Sequence, residues 1–531
     1  MTKICVPVFV KGGVDVEEAI ARAEEALEGV EGMVELRCDT ASVKGMLGAI
    51  DVARVPVIVT VRPTWEGGFS QKSDAERIGL WEAAMEAGAE YVDVELEAWE
   101  KSGAIREAIG DAAEKNGTRL IVSNHCFGGR PKDLAERVGR LRAVREARVL
   151  KMAWKAESLV DAIDALRMVA ENRNVDGRPL VALAMGEEGL ISRVLAKKFG
   201  APFTFGVAER GKESAPGQPT VAELRERFRW EAQGERTGVC GVVGWPVGHS
   251  LSPDIHNAGF AAVGADAVYV PLAVRPGAEA FTGAVEALRG CGGMNLRGLS
   301  VTIPHKESAM AYAEKHGAEV DALSRHIGVV NTLVWRGERG GGLKALNSDL
   351  GGALDALVGA WGGTRESLRG KRVAVLGAGG AGRAIVAGLA AAGATVVVYN
   401  RTLEKGQALA EAFGGTEGKV VAAAWEKLGQ SCCEAYINCT PVGMHPHVNE
   451  TPMEPITSGP CAWGAGTVVF DTVYNPAMTK FLKLSRQAGA TIVPGTEMFV
   501  RQAAVQFEEF TGKAAPVEAF RRVMGAVMKG R

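Results

Sequence analysis

Two places in this 531-residue sequence combine residue types able to make and break covalent bonds. In the first half His125 closes one strand-like run and Lys151 lies near the start of the next. A lysine amine near an imidazole points to carbonyl chemistry, in which the neutral amine attacks a ketone and the resulting imine acts as an electron sink. Only the unprotonated amine attacks, and Arg62, Arg193 and Arg37 could supply the cationic field that favours it. An ion pair at a strand end is the ordinary alternative for Lys151. In the second half Gly377-Ala-Gly-Gly-Ala-Gly382 satisfies G-x-G-x-x-G between a strand and an Ala-rich helix, the geometry that seats a pyrophosphate on a helix N-terminus. The next strand, 395–399, ends in Asn400-Arg401-Thr402. A guanidinium where an acidic residue would hold a ribose hydroxyl suits a 2′-phosphate, hence NADP(H). An exposed surface arginine is the alternative.

Positioning these groups requires a scaffold, and its period can be read. Eight β-branched runs, at 4–8, 33–39, 56–62, 91–96, 119–125, 149–155, 180–185 and 203–207, alternate with helical patterns such as 16–27, 74–87, 105–115, 132–145, 156–172 and 186–199. Strand then helix eight times in about 210 residues predicts a parallel (β/α)8 TIM barrel, whose chemistry belongs at the strands' C-terminal ends. Glu35, Arg37, Asp39, Arg62, Asp93, Glu95 and His125 fall in or at the end of such runs. Ionisable groups in a barrel interior each need a partner or a task. The helical pattern breaks at Gly234–Gly241 and a new strand opens at Val239, so a boundary is expected near Arg236. The expected divisions are a barrel over 1–235, an α/β segment over 236–345, a Rossmann domain over 346–496 and helices over 497–531 that pack back on the α/β segment.

The motifs of the first half resemble type I 3-dehydroquinate dehydratase. They are Val34-Glu35-Leu36-Arg37-Cys38-Asp39, Thr60-Val61-Arg62-Pro63-Thr64-Trp65-Glu66-Gly67-Gly68, Val122-Ser123-Asn124-His125-Cys126-Phe127, Lys151-Met152-Ala153, Ala184-Met185-Gly186 with Ile191-Ser192-Arg193, and Ser214 through Gln218. The resemblance implies that Lys151 forms the imine with a C3 ketone, that His125 moves protons, and that Glu66 orients or charges His125. It implies that Glu35, Arg37 and Arg62 hold substrate hydroxyls, that Arg193 clamps a carboxylate, and that Ser214 and Gln218 ride on a covering loop. Cys126 departs from the Asp or Asn common in the family.

The second half resembles shikimate dehydrogenase, through Gly244-Trp-Pro-Val-Gly-His-Ser250-Leu-Ser252-Pro253, Ser300-Val-Thr302-Ile-Pro-His-Lys306, Asn331-Thr332, Asn347-Ser-Asp349, Asn438-Cys-Thr440-Pro-Val-Gly443-Met444, Asp471-Thr-Val-Tyr474 and Met498 through Gln502. This implies that Lys306 and Asp349 are the catalytic pair, that Ser250 and Ser252 bind the substrate carboxylate, and that Thr302, Asn331, Tyr474 and Gln502 bind hydroxyls or line the pocket. Gly377, Gly379, Gly380, Gly382, Asn400, Arg401, Thr402, Thr440, Gly443, Met444 and Gly495 would hold NADP(H). Glu497, beside Met498, replaces a typical small residue and could alter the pocket edge.

Since the dehydratase product is the reductase substrate, the two resemblances together imply one bifunctional enzyme of aromatic precursor biosynthesis, with no metal in either step. A second half that prefers quinate, and a silent sensor of quinate-pathway type, stay open as alternatives. Lys151, His125, Lys306 and Asp349 are all retained, which weighs against the sensor. Composition agrees with a folded, soluble chain: 47% hydrophobic, 23% charged, with 61 Lys plus Arg against 63 Asp plus Glu. A net charge of -2 offers no general field for nucleic acid or anionic membrane, so small molecules are the expected partners. The 9 cysteines show no CxxC pair and no zinc spacing, and are expected as reduced thiols in a cytoplasmic protein, the adjacent Cys432 and Cys433 included. The N-terminus opens on a strand-like run without an export or transit pattern.

Overall fold

The computed structural model describes residues 2–11, 15–173, 175–337, 342–415 and 417–530. Met1 and Arg531, the outer limits of the expected divisions, lie outside the described residues. The chain forms two compact units, Met1–Pro253 with Asp266–Leu296, and Asp254–Ala265 with Arg297–Arg531.

In the first unit β1 (Lys3–Phe9), β2 (Gly32–Arg37), β3 (Val57–Thr60), β4 (Tyr91–Glu95), β5 (Arg119–Cys126), β6 (Ala147–Lys155), β7 (Leu180–Met185) and β8 (Phe203–Phe205) follow the eight expected runs closely. All pair in parallel in the order β7-β6-β5-β4-β3-β2-β1-β8, a nearly closed barrel. The crossover helices start where short polar side chains satisfy their first free N–H groups. Asp15 accepts from Glu18 N, Ser42 from Gly45 N, and Ser73 forms a reciprocal cap with Glu76.

Alternation along each strand sorts the interior into layers. Met33, Ile58, Tyr91, Ile121, Val149, Val181 and Phe203 belong to one buried apolar cluster. Each fully buried side chain of this size contributes roughly 1.5–3 kcal/mol. Two residues further along the same strands come Glu35, Thr60, Asp93, Ser123, Lys151, Leu183 and Phe205, and two beyond that on several strands Arg37, Arg62, Glu95 and His125. The apolar floor thus gives way to a polar upper layer at the strands' C-terminal ends. Thr60, Asp93, Glu95 and Ser123 in that layer are fully buried.

One expected helix is broken. Instead of running from Gly186 to Phe199, the chain turns at 186–190 and then makes two short helices, Ile191–Val194 and Ala196–Phe199. Gly186 has φ +101°, and a Cβ on Gly189 would sit 2.2 Å from the Ala184 carbonyl oxygen. The turn doubles back onto β7, where Ser192 Oγ accepts from Ala184 N at 3.0 Å and donates to Gly189 O at 2.7 Å. Tertiary closeness overrides a periodicity that would otherwise be helical. Beyond the barrel, β9 (Gly238–Gly244) opens one residue before the expected start and pairs in parallel with β10 (Ala267–Ala273).

In the second unit β13 (Thr332–Trp335) runs antiparallel to both β11 (Leu296–Val301) and β14 (Leu343–Leu346), with β12 (Glu319–Val320) parallel to β14. A six-stranded parallel sheet follows: β15 (Arg372–Leu376), β16 (Thr395–Tyr399), β17 (Lys419–Ala423), β18 (Ala435–Asn438), β19 (Val468–Asp471) and β20 (Thr491–Val493), ordered β17-β16-β15-β18-β19-β20. This is the doubly wound nucleotide-binding architecture. The helix Gly495–Thr511 returns to β11 and β13, its Gln506 accepting from Ser300 Oγ at 2.8 Å and donating to Thr332 Oγ1 at 3.0 Å. Cys432, expected as a thiol, is instead disulfide-bonded to Cys461, with Cα atoms 4.7 Å apart. The long connection between β18 and β19 brings the two together, a proximity that their separation of 29 residues did not reveal. No helix among the described residues is long and apolar enough to cross a membrane.

The turn at 186–190 can be tested by volume. Gly189→Val forces a side chain into main-chain atoms that cannot yield, and is expected to cost the barrel about 2–3 kcal/mol in urea unfolding. Gly139→Ala, on an open helix surface with nothing within 4 Å of the new methyl, is expected to stabilise by about 0.5–1 kcal/mol.

Candidate active sites

The upper layer of the barrel surrounds a pocket lined by Glu35, Arg37, Arg62, Glu66, His125, Lys151, Arg193, Ser214 and Gln218, the nine barrel residues to which the resemblance gives a role. Strand alternation aims Lys151 of β6 inward, where it is 5% exposed. Its Nζ donates to Asp93 Oδ2 at 2.9 Å, lies 3.6 Å from Glu35 Oε1 and sits 4.7 Å above the Phe205 ring. The guanidinium field expected around this amine is therefore not what touches it; its nearest charged neighbours are carboxylates. Asp93 is the partner that spacing alone did not assign, although its place on an inward-facing register of β4 was the available signal.

Arg62 organises the layer. Its Nη1 donates to Ser123 Oγ at 2.7 Å and lies 3.0 Å from Glu95 and 3.3 Å from Glu66, while Nη2 is 2.9 Å from Asp93 Oδ1. Burial alone would lower its pKa, but Asp93, Glu95 and Glu66 together raise it. Burial would likewise raise Asp93, yet Arg62 and Lys151 hold it well below the usual carboxylate range. Glu35 accepts from Thr60 Oγ1 at 2.8 Å, and Arg37 is clamped by both oxygens of Asp39 at 2.7 and 3.3 Å.

The 3₁₀ turn Thr64–Glu66 delivers Glu66 to His125, whose Nδ1 is 2.9 Å from Oε2. Burial pushes the Glu66 carboxyl up to about 8 against the pull of Arg62. Burial, then Arg62 and Lys151, hold the His125 imidazolium well below its ordinary range. Both shifts favour the same state, a protonated carboxyl beside a neutral imidazole, which avoids a desolvated ion pair. Arg193 differs from the other cations. Its guanidinium is 1% exposed, Nη1 donates to the Ala184 carbonyl at 2.7 Å, and among the described residues no carboxylate pairs with it. Burial lowers its pKa to about 10. Ser214 and Gln218 close the pocket, Ser214 N donating to Gln218 Oε1 at 2.8 Å.

Ser250 and Ser252 also belong to the first unit, just beyond β9, where Ser252 N donates to Ser250 Oγ at 3.3 Å.

In the second unit Lys306 begins the helix Lys306–Lys315 and Asp349 lies in the first turn of Ser348–Ala360. Lys306 Nζ meets Asp349 Oδ2 at 2.5 Å with both side chains partly open to solvent. Asn347 caps the second helix, accepting from Asp349 N at 3.1 Å and Leu350 N at 3.3 Å, which fixes the carboxylate's starting point. Asn331 Oδ1 accepts from Ser348 N at 2.8 Å, and Gln502 Oε1 accepts from Ser348 Oγ at 3.2 Å. Thr302 is half-buried, and Tyr474 is exposed with its ring 5.4 Å from that of Phe499. Glu497 does not stand free at a pocket edge: it binds Arg501 at 2.8 Å and Arg521 at 2.7 Å, tying the last two helices together.

The glycine turn links β15 to the helix Gly380–Ala391. A Cβ on Gly382 would lie 2.2 Å from Gly377 O, whereas nothing lies within 4 Å of one on Gly379 or Gly380, so the face at the helix N-terminus is open. Asn400 Oδ1 accepts from Ala378 N at 3.1 Å and its amide donates to Thr402 O at 2.8 Å, which joins the turn to the segment carrying the exposed Arg401. Thr440 Oγ1 donates to Asn438 Oδ1 at 2.7 Å, and Gly443 has φ +100°. Met444 is exposed, and Gly495 opens the helix that carries Gln502.

Comparison with known proteins separates the barrel from the rest of the chain. The family model for Type I 3-dehydroquinase matches residues 4–235. Models for the shikimate dehydrogenase substrate binding domain, shikimate / quinate 5-dehydrogenase and the shikimate 5'-dehydrogenase C-terminal domain match 242–333, 363–440 and 495–524. The chain is 36% identical to a chloroplastic bifunctional 3-dehydroquinate dehydratase/shikimate dehydrogenase of Arabidopsis thaliana, over 98% of this chain and 84% of that protein. It is 38% identical to a shikimate dehydrogenase (NADP(+)) of Moorella thermoacetica over 55% of this chain and 94% of the relative. A crystal structure of shikimate 5-dehydrogenase from Thermus thermophilus in complex with NADP(H) and shikimate is 31% identical, covers 54% of this chain and 99% of its own, and has a TM-score of 0.45.

The Glu66–His125 state can be checked directly. The His125 ring ¹⁵N shifts are expected to report a neutral imidazole at neutral pH, with an inflection near pH 8 as Glu66 ionises. Glu66→Gln should abolish that inflection.

Proposed function

This chain belongs to the family of bifunctional 3-dehydroquinate dehydratase/shikimate dehydrogenases, and on that premise we propose how its residues perform the two steps. The barrel dehydrates 3-dehydroquinate to 3-dehydroshikimate, and the second half reduces that product to shikimate with NADPH. The observation that carries the dehydratase site is Arg193, a buried guanidinium with no carboxylate partner among the described residues, in the same pocket as Lys151 and the His125–Glu66 pair. A buried cation left uncompensated favours an anionic ligand, and its planar fork suits the substrate carboxylate.

The neutral form of the Lys151 amine attacks the C3 carbonyl, and His125 relays the proton with which the carbinolamine hydroxyl leaves as water to give the iminium. The iminium acidifies the C2 proton, which the neutral His125 imidazole accepts. The resulting enamine expels the C1 hydroxyl, protonated by the same imidazolium, and water hydrolyses the product imine to return Lys151. Glu66, carrying its own proton at neutral pH, orients His125 without lending it a full charge. Glu35, Arg37 and Arg62 hold ring hydroxyls, and Ser214 and Gln218 cover the substrate and exclude water.

For the reduction, Ser250 and Ser252 bind the carboxylate, while Thr302, Asn331, Tyr474 and Gln502 hold hydroxyls or shape the pocket. Lys306 passes a proton at the reacting oxygen and Asp349 keeps its amine oriented. The open face at Gly379 and Gly380, the close approach at Gly382 and the cation at Arg401 fit a dinucleotide bearing a 2′-phosphate. NADPH, when bound, supplies the hydride. Gly377, Asn400, Thr402, Thr440, Gly443, Met444 and Gly495 complete its contacts. The four divisions at 1–235, 236–345, 346–496 and 497–531 are part of the same proposal.

NMR of 3-dehydroquinate with purified protein should give dehydroshikimate alone, and shikimate only after NADPH is added. Lys151→Ala is expected to lower the first rate by about 10⁴-fold or more while leaving the second. Lys306→Ala should do the converse, lowering kcat for shikimate oxidation by about 10²- to 10⁴-fold. Unchanged dehydroquinate with the native protein would sink the imine mechanism, and faster oxidation of quinate than shikimate would reassign the second half.

A further inference from the structure

The segment Trp245–Ser250 leads from β9 to Ser250 and Ser252, and Val247 in its middle is buried. Pro246, Gly248 and His249 are exposed, and its internal main-chain bond is Ser250 N to Val247 O at 3.0 Å. Barrel residues supply further anchors. Glu187 Oε1 accepts from Gly248 N at 3.1 Å and Val247 N at 3.3 Å. Arg227 Nη2 donates to the Ser250 carbonyl at 2.7 Å. Glu188, 6% exposed, accepts twice from Arg275 at 2.7 and 2.9 Å, and that guanidinium lies 5.1 Å from the Trp245 ring. Two successive N–H groups converging on one carboxylate oxygen, and a guanidinium on the carbonyl of Ser250 two residues beyond Gly248, are charge-assisted contacts that hold a main chain at two points.

Glu187 and Glu188 come from the turn 186–190, where the expected helix is broken. The turn is rigid for its own reasons, with Gly186 N donating to Pro216 O at 3.0 Å and a Cβ on Gly217 only 2.2 Å from Gly186 O. Neither glutamate lines the barrel pocket.

We infer that Glu187, Glu188 and Arg227, residues of the dehydratase barrel, are positioning residues for the dehydrogenase: they hold Trp245–Ser250 in the conformation in which Ser250 and Ser252 receive the substrate carboxylate. The inference rests on the reading of Ser250 and Ser252 given above. Its energetic content is preorganisation. If the anchored segment is nearly always competent, and releasing it drops the competent fraction to about a tenth, apparent affinity falls about tenfold. The anchors touch no reacting atom, so the effect belongs in KM and not in kcat.

The test is steady-state oxidation of shikimate by the full chain. Glu187→Ala is expected to raise KM for shikimate about tenfold, with kcat and the KM for NADP+ within about twofold and dehydratase turnover of the same sample unchanged. Glu187→Gln, whose amide oxygen still accepts from both N–H groups, should stay near the native value, and Arg227→Met should raise KM several-fold in the same selective way. Unchanged KM in both Glu187→Ala and Arg227→Met would overturn the inference. So would a joint fall in both activities, which would mark a general role in folding. A native chain that dehydrates but does not oxidise shikimate would instead overturn the functional reading, a failure visible before any variant is made.

Discussion

A guanidinium buried among carboxylates is the interaction on which the barrel's chemistry depends. Arg62 is ion-paired with Asp93, Glu95 and Glu66 at 2.9, 3.0 and 3.3 Å, and Arg77 shares Glu95 with it. Removing one member of such a set leaves an uncompensated buried charge, at a typical cost of about 3–5 kcal/mol. The set also fixes stoichiometry. Asp93 is divided between Arg62 and Lys151, and Glu66 is driven to its protonated form by burial. The layer thus satisfies its cations internally and leaves Arg193 without an anion. The apolar floor beneath makes that state possible, because it seals the barrel from below and confines the polar groups to one open end.

The second pair works in a different medium. Lys306 and Asp349 are 34% and 24% exposed at the side chain, against 6% for Lys151 and none for Asp93. On the proposed roles, a proton exchanged at Lys306 can be recovered from solvent without an internal relay. On the same proposal, a proton taken up by His125, 12% exposed at its side chain, is returned within the pocket, which suits an imidazole acting first as base and then as acid. The positions of Lys306 and Asp349 come from helix starts and a capping asparagine, which are backbone features. The barrel's geometry comes instead from strand alternation and mutual charge.

Those two origins explain what could be read in the sequence. The eight barrel strands were legible because period-two alternation and β-branched runs are local signals, and the nine barrel pocket residues were legible because each lies in or beside a motif. Which groups touch was not. Asp93 faces Lys151 across two strands, a contact set by shear and register that no motif encodes. Arg37, expected to hold a hydroxyl, also pairs through Nε and Nη2 with Asp39 two residues on, a pairing the motif does not name. The helix over 186–199 carried the right period and still failed, because the backbone of Gly189 had to approach β7. Cys432 and Cys461 met through the fold of a long connection. In each case the missing information was tertiary distance.

The turn at 186–190 shows what joining the two activities in one chain can mean physically. A tether raises the local concentration of one site near another, but it supplies no contact of its own. Here Glu187, Glu188 and Arg227 fall within the residues matched by the dehydratase family model, 4–235, while Trp245–Ser250 and Arg275 fall within those matched by the dehydrogenase substrate-binding model, 242–333. The hydrogen bonds between them therefore exist only in a chain that contains both. Such contacts order a glycine- and proline-containing segment before substrate arrives, so that its conformational entropy is removed during folding and not during binding. On that logic the joint is part of the second site's scaffold, and the barrel contributes to two reactions while performing one.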